Sequence, residues 1–127
     1  MTGEEHHVEL VQGMSEQLKT ILDKSEQAIY IYLDDTHKNC NKKFASLLGY
    51  NSVKQWVDAE APLADVVKAD QKKVVAAYEK AMGKMAASSL DIKFKNIKTG
   101  EEVKANMIMV PMLFNGHLFA VHFLSKI

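Results

Sequence analysis

Strand-forming segments lie at the two ends of this chain with helical periodicity between them, and that distribution limits the fold more than any single motif. Near the start, Ala28-Ile-Tyr-Ile-Tyr-Leu33 is a β-branched and aromatic run closed by Asp34-Asp35. It is apolar on both faces, as a central strand should be. A short polar stretch, Thr36 to Lys38, offers a weak edge strand beside it. At the other end, residues 90–95 alternate strictly, and residues 103–112 and 117–124 follow. Lys98-Thr-Gly100 turns between the first two, and Asn115-Gly116 signals a tight hairpin between the last two. Pro111 cannot donate to a ladder and predicts a bulge or the end of its strand. Strands grouped around a helical middle predict an α+β fold with an antiparallel sheet, not alternating βαβ units.

The helical middle has its own punctuation. Asn41 stands where an N-cap belongs, ahead of Phe44, Leu47 and Leu48, and Gly49 supplies the stop. Ser52 caps a further turn carrying Val53 and Trp56. From Glu60 to Lys68 the pattern is irregular, and Pro62 favours a loop or a short helix. Asp70 then opens the clearest helix, with Val74, Val75, Tyr78, Ala81, Met82 and Met85 in one stripe and Lys72, Lys73, Glu79, Lys80 and Lys84 facing water. Ahead of the first strand, Val11, Met14, Leu18 and Ile21, flanked by Val8 and Leu22, predict an amphipathic helix of about five turns, weakened at Gly13. Its stripe must be buried against its own domain or against a second copy. Residues 1–24 are therefore read as a dimerisation or sheet-capping helix, and residues 25–127 as the domain proper.

A chain of 127 residues, 47% apolar and 25% charged, suits one compact domain. Sixteen basic residues balance sixteen acidic ones, without the basic footprint of a dedicated nucleic-acid binder. No apolar run approaches the roughly 20 residues of a membrane-spanning helix, and Met1 to His7 lacks a signal-peptide pattern. The single cysteine, Cys40, fits a reducing cytoplasm.

Asn41-Lys-Lys-Phe-Ala-Ser-Leu-Leu-Gly-Tyr50 resembles the start of the helical region in PAS domains, where an Asn precedes a Phe and the helix closes on Leu-Gly-Tyr or Leu-Gly-Phe. Asp65-Val-Val-Lys-Ala-Asp70 is similar to the family's entry into its long helix, with Ala69 where Pro is common. The Lys98-Thr-Gly100 turn, the strand ending in Pro111 and the Asn115-Gly116 hairpin keep the family order from about Ser25 to the C-terminus. The resemblance implies a five-stranded antiparallel sheet in the order 2-1-5-4-3, helices clasping one face, and a sensory or interaction role. The Asp-Ile-Thr-like linker that leads into an effector in many such sensors is missing from Phe123-Leu-Ser-Lys-Ile127. The chain is then either a piece of a larger sensor or a stand-alone domain.

Specialised chemistry finds little support in the residues. Flavin photoreceptors of this family carry a reactive Cys in an Asn-Cys-Arg-Phe-Leu-Gln-like motif; here Asn39-Cys40 precedes the first core helix and runs into Asn41-Lys42-Lys43. Haem-binding relatives usually take an axial His from the long helix, and residues 70–85 contain none. His6 and His7 are neighbours in sequence and do not face one metal site. There is no nucleophile elbow, and the six glycines are scattered singly, without a phosphate loop. Asp65 and His122 are the groups an enzyme reading would turn to.

The expectation is a non-catalytic, cytoplasmic, PAS-like sensory and protein–protein interaction domain. It homodimerises through Val11, Met14, Leu18, Ile21 and Leu22 and signals to an effector such as a kinase or regulator. A small apolar ligand would sit between sheet and long helix, against Tyr32, Tyr78, Met82, Met107, Met109 and His122, with deformable methionines suiting varied occupants. The residues name no cofactor. The alternative is a scaffold whose cavity is filled by its own side chains. Register decides whether Met107 and Met109 or Asn106 and Ile108 point inward. The lysines at 38, 42, 43, 54, 68, 72, 73, 80 and 84 read as a solvated face.

Overall fold

The computed structural model describes residues 3–59 and 62–127; the irregular segment read from Glu60 onward therefore lies partly outside the described residues, as do Met1 and Thr2. The elements run α1 (Gly3–Gln17), α2 (Lys19–Lys24), β1 (Ala28–Asp34), β2 (His37–Cys40), α3 (Lys42–Leu47), α4 (Val53–Asp58), α5 (Gln71–Lys84), β3 (Ser88–Lys95), β4 (Glu102–Phe114) and β5 (His117–Lys126). Two 3-10 turns, Pro62–Asp65 and Lys68–Asp70, lead into α5. The five strands form one antiparallel sheet in the order β2-β1-β5-β4-β3. Among the described residues no helix is long and apolar enough to cross a membrane.

Alternation along the strands divides the apolar residues between two cores. Ala28 and Tyr30 on β1, Ala105, Met107 and Met109 on β4, and Ala120 and Leu124 on β5 face the helices α3 to α5. The intervening Ile29, Ile31, Phe119 and Val121 face the other way and are covered by Leu10 and Met14 of α1. The N-terminal helix thus lies on the outer face of its own sheet. Gly13 has a positive role in this: a Cβ there would stand 2.7 Å from the Phe114 ring, so its missing side chain lets α1 settle on the β4–β5 hairpin.

Local signals place several boundaries. Asn41 Oδ1 accepts from Phe44 N, capping α3, and also from Ile29 N, while its Nδ2 donates to Gln27 O; the cap therefore ties helix to strand. Ser52 caps α4 through Gln55 N. Asn115 and Gly116 both have positive φ, at 49° and 77°, and Phe114 pairs with His117 across them, a two-residue hairpin.

Four expectations need correction. The N-terminal helix is interrupted at Leu18, whose φ of −96° and ψ of 10° separate α1 from α2. The second strand is His37–Cys40, shifted toward the Asn41 cap, since residues 35–36 are taken up by the turn. Pro111 neither ends nor bulges its strand: it pairs with Ala120 and β4 continues to Phe114. Pairing with β3 stops at Met109, so beyond it β4 has a free edge where a residue without an N–H is tolerated. In α5, Val75 is exposed, as is Met85, which caps the helix in left-handed conformation just past its end, while Ala77 joins Val74 and Ala81 in the core. The shift follows from packing small side chains close to the sheet.

Candidate functional site

Between the sheet and α5 lies a cavity of about 280 Å³, just below the ~300–1,000 Å³ typical of ligand sites. Its floor is the inner face of the central strands, where Tyr30, Tyr32, Met109 and His122 point; its roof is Val74, Val75 and Tyr78 of α5; Pro62, Leu63 and Val66 close one side. Asp35 and Val75 are exposed and form part of the rim.

Aromatic packing shapes this space. Tyr30 and His122 are direct cross-strand partners, and Tyr32 meets Tyr78 edge-on with ring centroids 5.5 Å apart. Tyr32 donates from its hydroxyl to Asp35 Oδ1 at 2.6 Å. Burial holds His122 neutral, its pKa lowered to about 3. Its Nδ1 is sealed from solvent and has no hydrogen-bond partner among the described residues. Burial also raises the pKa of the phenols of Tyr30, Tyr32 and Tyr78, keeping them protonated. The interior is thus lined by neutral groups, and the carboxylate of Asp35 stands at the rim.

Of the six residues expected at a ligand, Tyr32, Tyr78, Met109 and His122 line this cavity. Met107 does point inward, as does Met109, but it is fully buried beneath Tyr30, whose hydroxyl lies 4.0 Å from its sulfur. Met82 sits one turn further along α5, packed against the core beyond the cavity. Asn106 and Ile108 take the opposite face: Asn106 Nδ2 donates to Ser89 and Asp91, and Ile108 is 39% exposed. Sequence reasoning missed Pro62, Leu63 and Val66, because an irregular segment carries no period that assigns a face.

Of the positions expected at a dimer interface, Met14 is buried against the sheet, Val11, Leu18 and Leu22 are partly buried around it, and Ile21 is 44% exposed. Leu10, absent from the expected stripe, is buried beside Met14.

The remaining singled-out groups serve other purposes. Asp65 is outside the cavity lining; its oxygens accept from Tyr50 Oη at 2.7 Å and Trp56 Nε1 at 3.2 Å, and burial raises its pKa. The Cys40 thiol is buried, with its pKa pushed up to about 12, opposite to what a reactive thiolate needs. Lys38 is no surface lysine: it is 2% exposed, and its ammonium donates to the carbonyls of Asp35, Val57 and Ala59 at 2.7, 3.0 and 2.8 Å.

No protein-family model matches the sequence, and no curated protein matches it. Solved structures do. A PAS domain from Colwellia psychrerythraea is similar at 19% identity and a TM-score of 0.70, covering 90% of this chain and 97% of that one. A light-oxygen-voltage protein from Rhodobacter sphaeroides is similar at 11% identity and a TM-score of 0.73, covering 91% of this chain and 68% of its own. The PAS domain of a LuxR-family transcriptional regulator from Burkholderia thailandensis, in complex with ethanol, is similar at 11% identity and a TM-score of 0.66, covering 86% and 96%. With its strand order, helices α3 to α5 on one face and these likenesses, the chain has a PAS-like fold.

Proposed function

We propose that this chain is a sensory and protein–protein interaction module that takes a small neutral molecule into the cavity and passes its occupancy to the N-terminal helix. One observation carries the reading: β1 and β5 present Tyr30 and His122 to the cavity, while the adjacent Ile31 and Val121 on the other face pack in one cluster with Leu10 and Met14 of α1. A displacement of these strands by an occupant is felt by the helix one side chain away. The ligand shifts the helix only if it binds one arrangement better than the other. A neutral lining of aromatic and aliphatic side chains favours a small, largely apolar molecule. The ethanol complex of the Burkholderia relative is in keeping with an occupant of that size.

In this reading the chain is cytoplasmic, non-catalytic and homodimeric, and it signals to an effector such as a kinase or regulator. The exposed Val8 and Ile21 of the N-terminal helices and Ile108 of the outer face supply apolar surface for a second copy. The test is a titration of the full chain with small alcohols, followed by amide and methyl NMR. Saturable shifts at Tyr78 and His122 together with Leu10 and Met14 are expected. Shifts absent from the cavity would leave a ligand-free scaffold, and shifts confined to the cavity would remove the coupling to α1.

A further inference from the structure

Four of the five histidines gather at one end of the sheet, outside the cavity, where the start of α1 crosses the β1–β2 turn and the β4–β5 hairpin. His7 Nδ1 lies 2.9 Å from Asp34 Oδ2, and His37 Nδ1 lies 2.6 Å from Asp34 Oδ1. The His7 and His37 rings are 5.2 Å apart and nearly perpendicular. His37 is buried, and Glu4 Oε1 stands 3.1 Å from its Nε2. That contact is not aligned as a hydrogen bond, so Nε2 is sealed from solvent without one among the described residues. Alongside, His6 Nε2 and His117 Nε2 face each other at 3.0 Å.

We propose that His7, Asp34 and His37 form a binding site for a divalent metal ion of the zinc class, and that the ion staples α1 to the β1–β2 turn. The donor set is two imidazoles and a carboxylate, the chemistry that suits zinc, nickel or copper rather than calcium or magnesium. One ligand atom from each of the three residues can be chosen so that all lie within 4.8 Å of one another. Bonds of about 2.0–2.2 Å to a common ion in tetrahedral geometry set ligand atoms about 3.3–3.6 Å apart; rotation of His7 and Asp34 opens the 2.9 and 2.6 Å nitrogen–oxygen contacts and closes the wider separations. Both of these side chains are more than one third exposed, which leaves them room to turn and the ion a way in. The ligands come from separate elements, so closing the site joins the first turns of α1 to the sheet. Adjacent His6 and His7 do face different partners, as helical spacing requires; His7 alone belongs to the trio.

The test is calorimetric titration of metal-stripped full-length chain, bearing no histidine tag, with zinc chloride, repeated with cobalt chloride to read tetrahedral coordination from its visible absorption. One equivalent should bind, with slower amide exchange over residues 4–10 in the zinc-bound chain. His7→Ala, an exposed change on α1, should weaken binding by at least about tenfold. His37→Gln tests the buried ligand, and His6→Ala, which lies outside the trio, should leave the affinity unchanged. No uptake overturns the proposal, and so does uptake that survives His7→Ala or is lost in His6→Ala. Because the readout is the ion itself, the result is independent of whether the cavity binds a ligand.

Discussion

His122 lies flat on Tyr30, with ring centroids 3.8 Å apart and planes 7° from parallel. The two are cross-strand partners on β5 and β1, so the stack is at once a sheet contact and part of the cavity wall. A neutral imidazole stacks there; an imidazolium would be a buried charge.

Acid sensitivity follows from that burial. With a folded-state pKa of about 3 against about 6.5 when unfolded, His122 takes up a proton in the unfolded chain first. Its contribution is fully present above about pH 6.5 and falls as the pH drops toward 3, by about 1.4 kcal/mol per unit. Urea denaturation at pH 7, 5.5 and 4.5 should show this slope, and His122→Phe should flatten the profile relative to the parent chain. An identical pH dependence in both would place the acid response on other groups.

Lys38 holds three carbonyls of two separate segments with one ammonium. Lys38→Met keeps most of the stem but leaves these acceptors without their donor, and should lower stability by about 2–4 kcal/mol. A change below about 0.5 kcal/mol, the range of ordinary surface substitutions, would show that Lys38 behaves as a surface residue.

Gly49 has φ +82°, and a Cβ there would meet Asn96 Oδ1 at 2.3 Å. Asn96 in turn accepts from Lys98 N and Thr99 N, ordering the β3–β4 turn. Gly49→Ala should therefore destabilise by more than the ~1 kcal/mol of backbone strain alone. In a double-mutant cycle with Asn96→Ala, the steric part should disappear and the strain remain; strict additivity would rule out the contact as its cause.

Two kinds of N-terminal apolar residue should separate cleanly. Leu10→Ala removes a buried side chain from the sheet's outer face and should cost about 2–4 kcal/mol by denaturation. Val8→Asp combined with Ile21→Asp changes exposed positions and should leave stability nearly unchanged while converting a dimer to monomer in light scattering. A dimer that persists would take these helices out of the proposed interface.

Much of this architecture follows from short-range rules. Alternation divided the strand residues into two faces without saying which is inner, Asn41 and Ser52 capped the helices they precede, and Asn115-Gly116 turned the final hairpin. The site was less legible. Tyr32, Tyr78, Met109 and His122 reach the cavity, but the same periodicity that selected Met109 also selected Met107, which is buried below it. Period identifies a face and does not measure depth.

The sequence by itself determined the order of elements, their caps and turns and the two-sided apolar strands, because each rests on interactions among residues a few positions apart. Tertiary structure alone decided that Pro111 fits inside a strand, that Lys38 is buried, that α1 breaks at Leu18 and that four histidines converge. These outcomes depend on partners distant in the chain: His6 and His117, 3.0 Å apart, are separated by 111 positions. The antiparallel pairing of β1 with β5 brings the end of one strand and the start of the other to the same end of the sheet. Only that closure brings together groups that no local pattern associates.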